Sequence, residues 1–558
     1  MAPGVGSSTN SGWSRRIDTP ALLLALIAVG SLVVFLANTG SVALVDRDEG
    51  RFAEIGREMF ESGNYLVPHL LGVPYLEKPP LLYWLLVGSF YLLGLDELAA
   101  RLPIALTASL GVVLVGRFAR RVVDPWAGVY AAAILATTGL YVVLARVVLT
   151  DMLFAVSLAG ALMAYFMANQ GLVREYPGFA AFWLWLAVAV LAKGPIALAL
   201  SGSIILVYHA TGRSLRKLGS RALWACALLN PTLALPWFWM IQRRYPSFAH
   251  FYVFDQHFAR FAGAEHREPF YFFVPVLVVG LLPWTPVAIA AVPNWIAHFR
   301  SPSADHELVR YLAVWALVVF GVFSTSGGKL IPYILPMYPA LALLLGGAIR
   351  DWLKQVAPPS AAVVGFYLAG LLVCALGLGT AAVLHVLHAG GVMWLILAAV
   401  FGAIVMTAGL SGRFGRVGQF GTVALSAAVL YLAAATAASS VCASYTAKSQ
   451  LIALRQTLQP NDEIAMTEVY YPSEAFYLGR IPYVVDPNRE LSYGSALAGG
   501  SPRLIPDLTT LKARTKGKKV ICLTGVDPKY VQRLAEHFPD LQIVSRNRAA
   551  TVVVIRNH

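Results

Sequence analysis

Two short runs hold most of the residues able to do chemistry: Asp46-Arg47-Asp48-Glu49-Gly50-Arg51 and Tyr75-Leu76-Glu77-Lys78-Pro79-Pro80. Between Asp46 and Pro80 eleven residues are charged, in a chain that is only 13% charged overall. Clustered carboxylates facing a Glu-Lys pair suit proton transfer or stabilisation of charge at a reacting centre. Lys78 and Arg51 suit the binding of an anionic phosphate. Plainer roles compete with these. Asp48 is a good helix N-cap, worth about 1 kcal/mol, and Lys78 could snorkel to lipid headgroups. Capping explains one acid and leaves the cluster unexplained; for Lys78 both roles stay open.

Further candidates lie downstream. Arg146-Val-Val-Leu-Thr150-Asp151 opens an apolar run. Thr150 or Asp151 could cap that helix, but an acid held in a membrane and facing a cavity is a functional candidate, because leaving it unpaired in lipid is costly. Lys193-Gly194-Pro195 and Gly327-Gly328-Lys329 place cations beside helix breaks. Residues 243–270 combine aromatics with Asp255, His257, Arg260, Glu265, His266, Arg267 and Glu268. Glu77 and His257 are candidate ligands for a divalent metal (Zn, Mg or Mn), although no H-E-x-x-H spacing occurs and a lone loop histidine is more often a surface residue. No motif requires a cofactor.

These residues must be positioned by a membrane protein. Hydrophobic residues make up 58% of the chain and the mean hydropathy is +0.65; a run of roughly 20 apolar residues crosses a bilayer core. Apolar runs centre near residues 29, 110, 135, 160, 185, 203, 231, 284, 317, 341, 373, 401 and 430. About thirteen spans are expected, with Leu81 to Leu93 a juxtamembrane or re-entrant helix. The run Ala21 to Leu36 after Arg15 and Arg16 is read as an uncleaved first span. The net charge of +14 collects in short loops, including Arg117/Arg120/Arg121 and Arg213/Arg216/Lys217, as the positive-inside rule expects, so nucleic-acid binding is not indicated. Four cysteines show no metal spacing, and a Cys442–Cys522 disulfide has no support.

One alternating path puts the loop of residues 39–80, the turn Ala145 to Asp151, the loop of residues 243–270 and the turn Ser326 to Ile331 outside the cytoplasm. There they can share a cavity. Phe52, Ile55, Met59 and Phe60 define the apolar side of a helix lying flat at the interface, against lipid or protein. Residues 444–558 read as a small α/β domain on the same side, with strands at Ile464 to Thr467, Pro482 to Val485, Val520 to Leu523, Gln542 to Val544 and Thr551 to Ile555. A polyprenyl-lipid transporter is the competing class; it predicts paired repeats and charges near the midplane, and the sequence has neither.

The first-loop acids, the amphipathic helix, Tyr-Leu-Glu-Lys-Pro-Pro, Arg-x-x-x-Thr-Asp and the extracytoplasmic α/β domain together resemble the GT-C glycosyltransferases. Within that class the chain is most similar to the bacterial branch related to protein O-mannosyltransferases, especially the lipid A aminoarabinose transferases. The resemblance implies an undecaprenyl phosphate-sugar donor, transfer with inversion on the periplasmic side of the inner membrane, and lipid A phosphate as acceptor, with resistance to cationic peptides and polymyxin. A protein acceptor is the alternative. It also implies Asp48 and Asp151 as catalytic acids, and Lys78, Arg51, Tyr338 and Arg260 at the lipid phosphate. Tyr75, Glu49, Lys193 and Lys329 are expected along the cavity. One copy of the chain is expected to suffice.

Overall fold

A computed structural model describes residues 18–557, apart from 47, 260–266, 301–306, 356–359, 387–392, 394–395, 397–398, 401–402, 404–414, 488 and 547–549. Side chains of a few further residues, His257 among them, are likewise outside the description. The chain is a multi-pass α-helical membrane protein followed by a sheet region. Among the described residues nine helices are long and apolar enough to cross a membrane, or ten if the bent pair Phe273–Gly280 and Thr285–Phe299 forms one span. Thirteen is therefore not reached on length and composition. The runs centred near 135 and 203 form helices of 12 and 16 residues, and the run near 401 falls mostly outside the described residues.

The helices that position the site are α1 (Thr19–Leu36), α2 (Asp48–Ser62), α3 (Leu81–Leu93), α4 (Glu97–Val122), α5 (Pro125–Ala136), α6 (Gly139–Leu144), α7 (Thr150–Asn169), α8 (Glu175–Lys193) and α9 (Ile196–Thr211). Helix α7 is the central pillar: its most apolar stretch is 89% buried, against 22% for α1. It is apolar on every face, as a helix enclosed by other helices must be. Small residues allow close approach. Gly346, on the helix Tyr338–Lys354, lies so near α5 that an added Cβ would stand 2.8 Å from the Ala131 backbone nitrogen.

The bent pair turns by 110°. Its backbone polar groups are recovered by neighbours: the Leu282 carbonyl accepts from the Gly139 N–H at 2.9 Å. Irregular backbone at membrane depth is tolerated on that condition.

Two short strands, β1 (His69–Leu70) and β2 (Val73–Pro74), form a hairpin in the first loop. The sheet region contributes β3 (Glu463–Thr467), β4 (Tyr483–Val485), β5 (Leu504–Ile505), β6 (Lys518–Thr524), β7 (Leu541–Arg546) and β8 (Thr551–Asn557), in the order β5-β4-β3-β6-β8-β7. Strands β3 to β6 are parallel; β8 runs antiparallel between β6 and β7. Five of the six correspond to strands expected from sequence; β5, two residues long, was not. Val520 to Thr524 are buried without alternation, the mark of a strand covered on both faces. Cys522 sits there as a free thiol, so no Cys442–Cys522 bridge forms.

Candidate active site

The apolar residues of helix α2 pack on protein, against α3, and the helix Pro472–Leu478 of the sheet region packs against α2 as well. Glu54, Arg57 and Glu58 are all buried. Buried charges must be paired, and these are. Arg57 donates two 2.7 Å hydrogen bonds to Glu54, and Glu58 accepts from the Gly72 N–H at 3.1 Å. Burial pushes both carboxyls above the usual range, against the pull of Arg57.

Near its start α2 carries the accessible cluster. Arg51 forms ion pairs with Asp48, one turn earlier, and with Glu490 on the helix Arg489–Leu497 of the sheet region. The Asp48 side chain is 60% exposed, whereas those of Arg51 and Glu490 are 14% and 15%. Asp48 is therefore the carboxylate open to an incoming molecule. The Tyr75 hydroxyl lies 3.1 Å from Glu77 Oε2 and 3.4 Å from Glu490 Oε1. Arg51 also sits over the rings of Phe52 and Tyr75. Burial opposes its charge, but Tyr75, Glu490, Asp48 and Glu77 outweigh that and hold its pKa above the ordinary guanidinium value. Lys78 is half-buried between Glu77 and Pro79, at the N-terminal end of α3.

Other expected residues take different places. Glu49 does not face open space. It is 1% exposed and bound to Arg101 at 2.6 and 2.8 Å. It also accepts from the Val45 and Val148 N–H groups at 2.9 and 3.1 Å, so it ties the first loop to α4 and to the turn before Asp151. Asp151 forms an ion pair with Lys193, whose ammonium lies 4.8 Å from the Tyr333 ring centre. Neither Thr150 nor Asp151 caps α7; the cap position is Leu149, without a side-chain bond.

Lys329 is also turned away from open space. It is 4% exposed and donates to the carbonyls of Glu268, at 2.8 Å, and Ser326. The Tyr338 hydroxyl is buried with no partner among the described residues and fills the space beside Gly280. Arg260 and the His257 side chain lie outside the described residues. Among the described residues no group of three or more His, Cys, Asp or Glu side chains is set to hold a metal.

The four segments expected to share a cavity do meet. Glu49 links the first two; Trp237 Nε1 donates to the Leu66 carbonyl at 2.9 Å, and Phe248 and Tyr252 pack with Val67 and Leu76. Lys329 and the Arg267–Gly328 bridge join the last two. Sequence reasoning missed Glu490. It lies over four hundred residues from Arg51, in no recognisable motif, and only the docked sheet region brings it near.

An acid–guanidinium cluster at the surface of a helical membrane bundle, roofed by an α/β region, can hold a phosphate while stabilising charge at a neighbouring atom. The family model for dolichyl-phosphate-mannose-protein mannosyltransferase matches residues 21–252. The chain is 32% identical over 341 residues to an undecaprenyl phosphate-alpha-4-amino-4-deoxy-L-arabinose arabinosyl transferase of Shewanella sediminis, covering 59% of this chain and 60% of the relative. A Sodalis glossinidius protein of the same description, numbered 1, is 34% identical over 348 residues, with 59% of each chain covered. The chain thus spans about three-fifths of the length of the curated relatives it matches.

The crystal structure of ArnT from Cupriavidus metallidurans bound to undecaprenyl phosphate superposes with a TM-score of 0.83 at 25% identity, over 96% of this chain and 97% of that one. Fold and comparisons define a GT-C membrane protein of the protein-mannosyltransferase-related branch. Within that class the chain is an ArnT-like protein.

Proposed function

We propose that this chain is a glycosyltransferase that moves 4-amino-4-deoxy-L-arabinose from undecaprenyl phosphate to a lipid A phosphate, on the periplasmic face of the bacterial inner membrane. The observation that carries the reading is the likeness, over nearly the whole chain, to an ArnT solved with undecaprenyl phosphate, and the names of the sequence relatives agree with it. An acceptor phosphate oxygen attacks the anomeric carbon. The bond from that carbon to the carrier's phosphate oxygen breaks, and its electron pair stays on the carrier phosphate. Charge develops on the leaving phosphate, so fixed cations supply most of the stabilisation; Arg51 and Lys78 serve this role. The acceptor phosphate has a second pKa of about 6 and is largely ionised at neutral pH, so no base is needed. Asp48 then orients the acceptor or steadies positive charge at the anomeric carbon.

The family model, named for protein mannosyltransfer, favours a protein acceptor as the second reading. Mass spectrometry of lipid A and of envelope proteins, from cells with and without the gene, separates the two. A pentosamine increment on lipid A phosphate is expected; glycosylated protein with unmodified lipid A would overturn the lipid acceptor. A further consequence of the reading is lowered susceptibility to cationic peptides such as polymyxin.

A further inference from the structure

The end of the bundle away from the first-loop cluster carries an unmatched charge. Helix α7 marks the two ends. Asp151 pairs with Lys193 at its start, whereas near its far end the Tyr165 hydroxyl lies 2.7 Å from His209 Nε2 and Gln170 donates to the Tyr208 hydroxyl at 2.8 Å. The 20 residues of α7 hold these ends about 30 Å apart. Several cations at the far end are matched by acids: Arg120 by Asp18, Arg350 and Lys354 by Asp124, and Arg310 by Glu307. The segment that follows α9 differs. Arg213, Arg216, Lys217 and Arg221 are all exposed, and none of these side chains makes a hydrogen bond or ion pair among the described residues. Nor does the sequence supply a local acid, for none occurs between Glu175 and Asp255.

The segment is firmly seated. The Ser214 N–H donates to the His209 carbonyl at 2.9 Å, and its hydroxyl lies 2.8 Å from His209 Nδ1. Leu215–Gly219 form a short 3-10 helix, in which side chains three apart stand above one another. Leu218 packs on the core, while Leu215 is 50% exposed. Trp224 Nε1 donates to the Leu218 carbonyl at 2.7 Å, and Trp224 is 60% exposed. Leu206 before the segment and Leu228 after it are exposed as well. Apolar side chains so placed between membrane helices face lipid, and tryptophan marks the headgroup level. The four cations therefore stand at that level on a fixed platform, with donors suited to phosphate oxygens.

We propose that the segment Arg213 to Arg221 binds the headgroups of anionic phospholipids in the leaflet opposite the catalytic cluster. The lipid phosphates supply the negative charge that the chain itself lacks there, and Leu215 and Trp224 enter the acyl boundary beside them. Each cation near an anionic surface adds about fivefold in affinity. A zwitterionic headgroup offers no net charge in return. The inference stands apart from the choice of sugar and acceptor.

The test uses the full chain in detergent, incubated with an equal mixture of phosphatidylglycerol and phosphatidylcholine, separated from free lipid, and assayed for retained lipid by mass spectrometry. Wild type is expected to retain phosphatidylglycerol in about tenfold excess. Arg213→Gln, Arg216→Gln, Lys217→Gln and Arg221→Gln together should lower that ratio about fivefold or more. Arg216→Gln with Lys217→Gln should lower it in part, and serves if the fourfold variant does not fold. Neutralising Lys512, Arg514, Lys516 and Lys529 of the sheet region removes the same charge and should leave the ratio unchanged. Anionic lipid held at the donor site is common to all these proteins and drops out of the comparison. A wild type indifferent to the headgroup, or a ratio unchanged in the segment variants, would overturn the proposal. So would an equal loss in the sheet-region variant, which would make bulk charge responsible. Excess inorganic phosphate should leave the lipid in place; its displacement would assign the segment to a free anion and overturn the lipid.

Discussion

Asp48 and Glu49 are neighbours with opposite fates, and the difference is what each carboxylate touches. Asp48 stays mostly exposed beside Arg51, whereas Glu49 is enclosed with Arg101. Replacing Asp48 by Asn in a normally inserted protein should reduce transfer about 100-fold or more, with little change in melting temperature. Glu49→Ala should do the reverse to stability. It strands a buried guanidinium, a loss of about 3–5 kcal/mol, visible in denaturation of the detergent-solubilised protein. The types and local spacing of Asp48, Arg51, Tyr75 and Glu77 made the cluster legible in the sequence. Glu49 was misplaced along the cavity because nothing local distinguishes an acid facing substrate from one facing an arginine fifty residues later.

Elements decide what the loops can do, and α2 shows it most clearly. Its periodicity revealed the helix and its apolar side. The cover on its other side, the helix Pro472–Leu478, was not legible because it comes from a distant part of the chain. That contact is held by Asp46, which accepts from the Ser473 N–H at 3.1 Å and from its hydroxyl. Burial pushes the Asp46 carboxyl up to about 7, although the Ser473 bonds pull against it. Burial and Asp46 raise the neighbouring Glu474 carboxyl well above its usual range. A carboxyl whose pKa is higher in the folded than in the unfolded state holds a proton that the unfolded chain releases. The contribution of Asp46 to stability is therefore full below about pH 4, lost as the pH rises towards 7, and level above that. Melting temperatures across this window should fall with rising pH, and Asp46→Asn should flatten part of the slope. Gly494→Ala tests the other attachment: the new methyl group meets the Pro74 carbonyl and should displace Glu490 from Arg51, weakening transfer while the membrane helices stay folded.

At the scale of the whole molecule, the helical bundle supplies depth and the sheet region supplies a roof. Lys448 pairs with Glu97 at 2.6 Å, and the Leu44 N–H donates to the Tyr477 hydroxyl at 2.8 Å, so the roof is fastened along both the first loop and α4. Fold class was legible because apolar runs and strand patterns are local properties. The span count was less so, since the helices at Pro125–Ala136 and Ile196–Thr211 are too short to qualify by length and a proline-broken segment bends instead of crossing straight. Removing residues 446–558 should abolish transfer even where the bundle still inserts, because Ser473, Glu490 and Lys448 leave with it. The most direct measurement is transfer by purified wild type and Asp48→Asn proteins in liposomes holding undecaprenyl phosphate-4-amino-4-deoxy-L-arabinose and lipid A, read by mass spectrometry. A pentosamine added to lipid A phosphate by wild type, and about 100-fold slower by the variant, is the predicted result; no transfer by wild type, or equal rates for the two proteins, would contradict it.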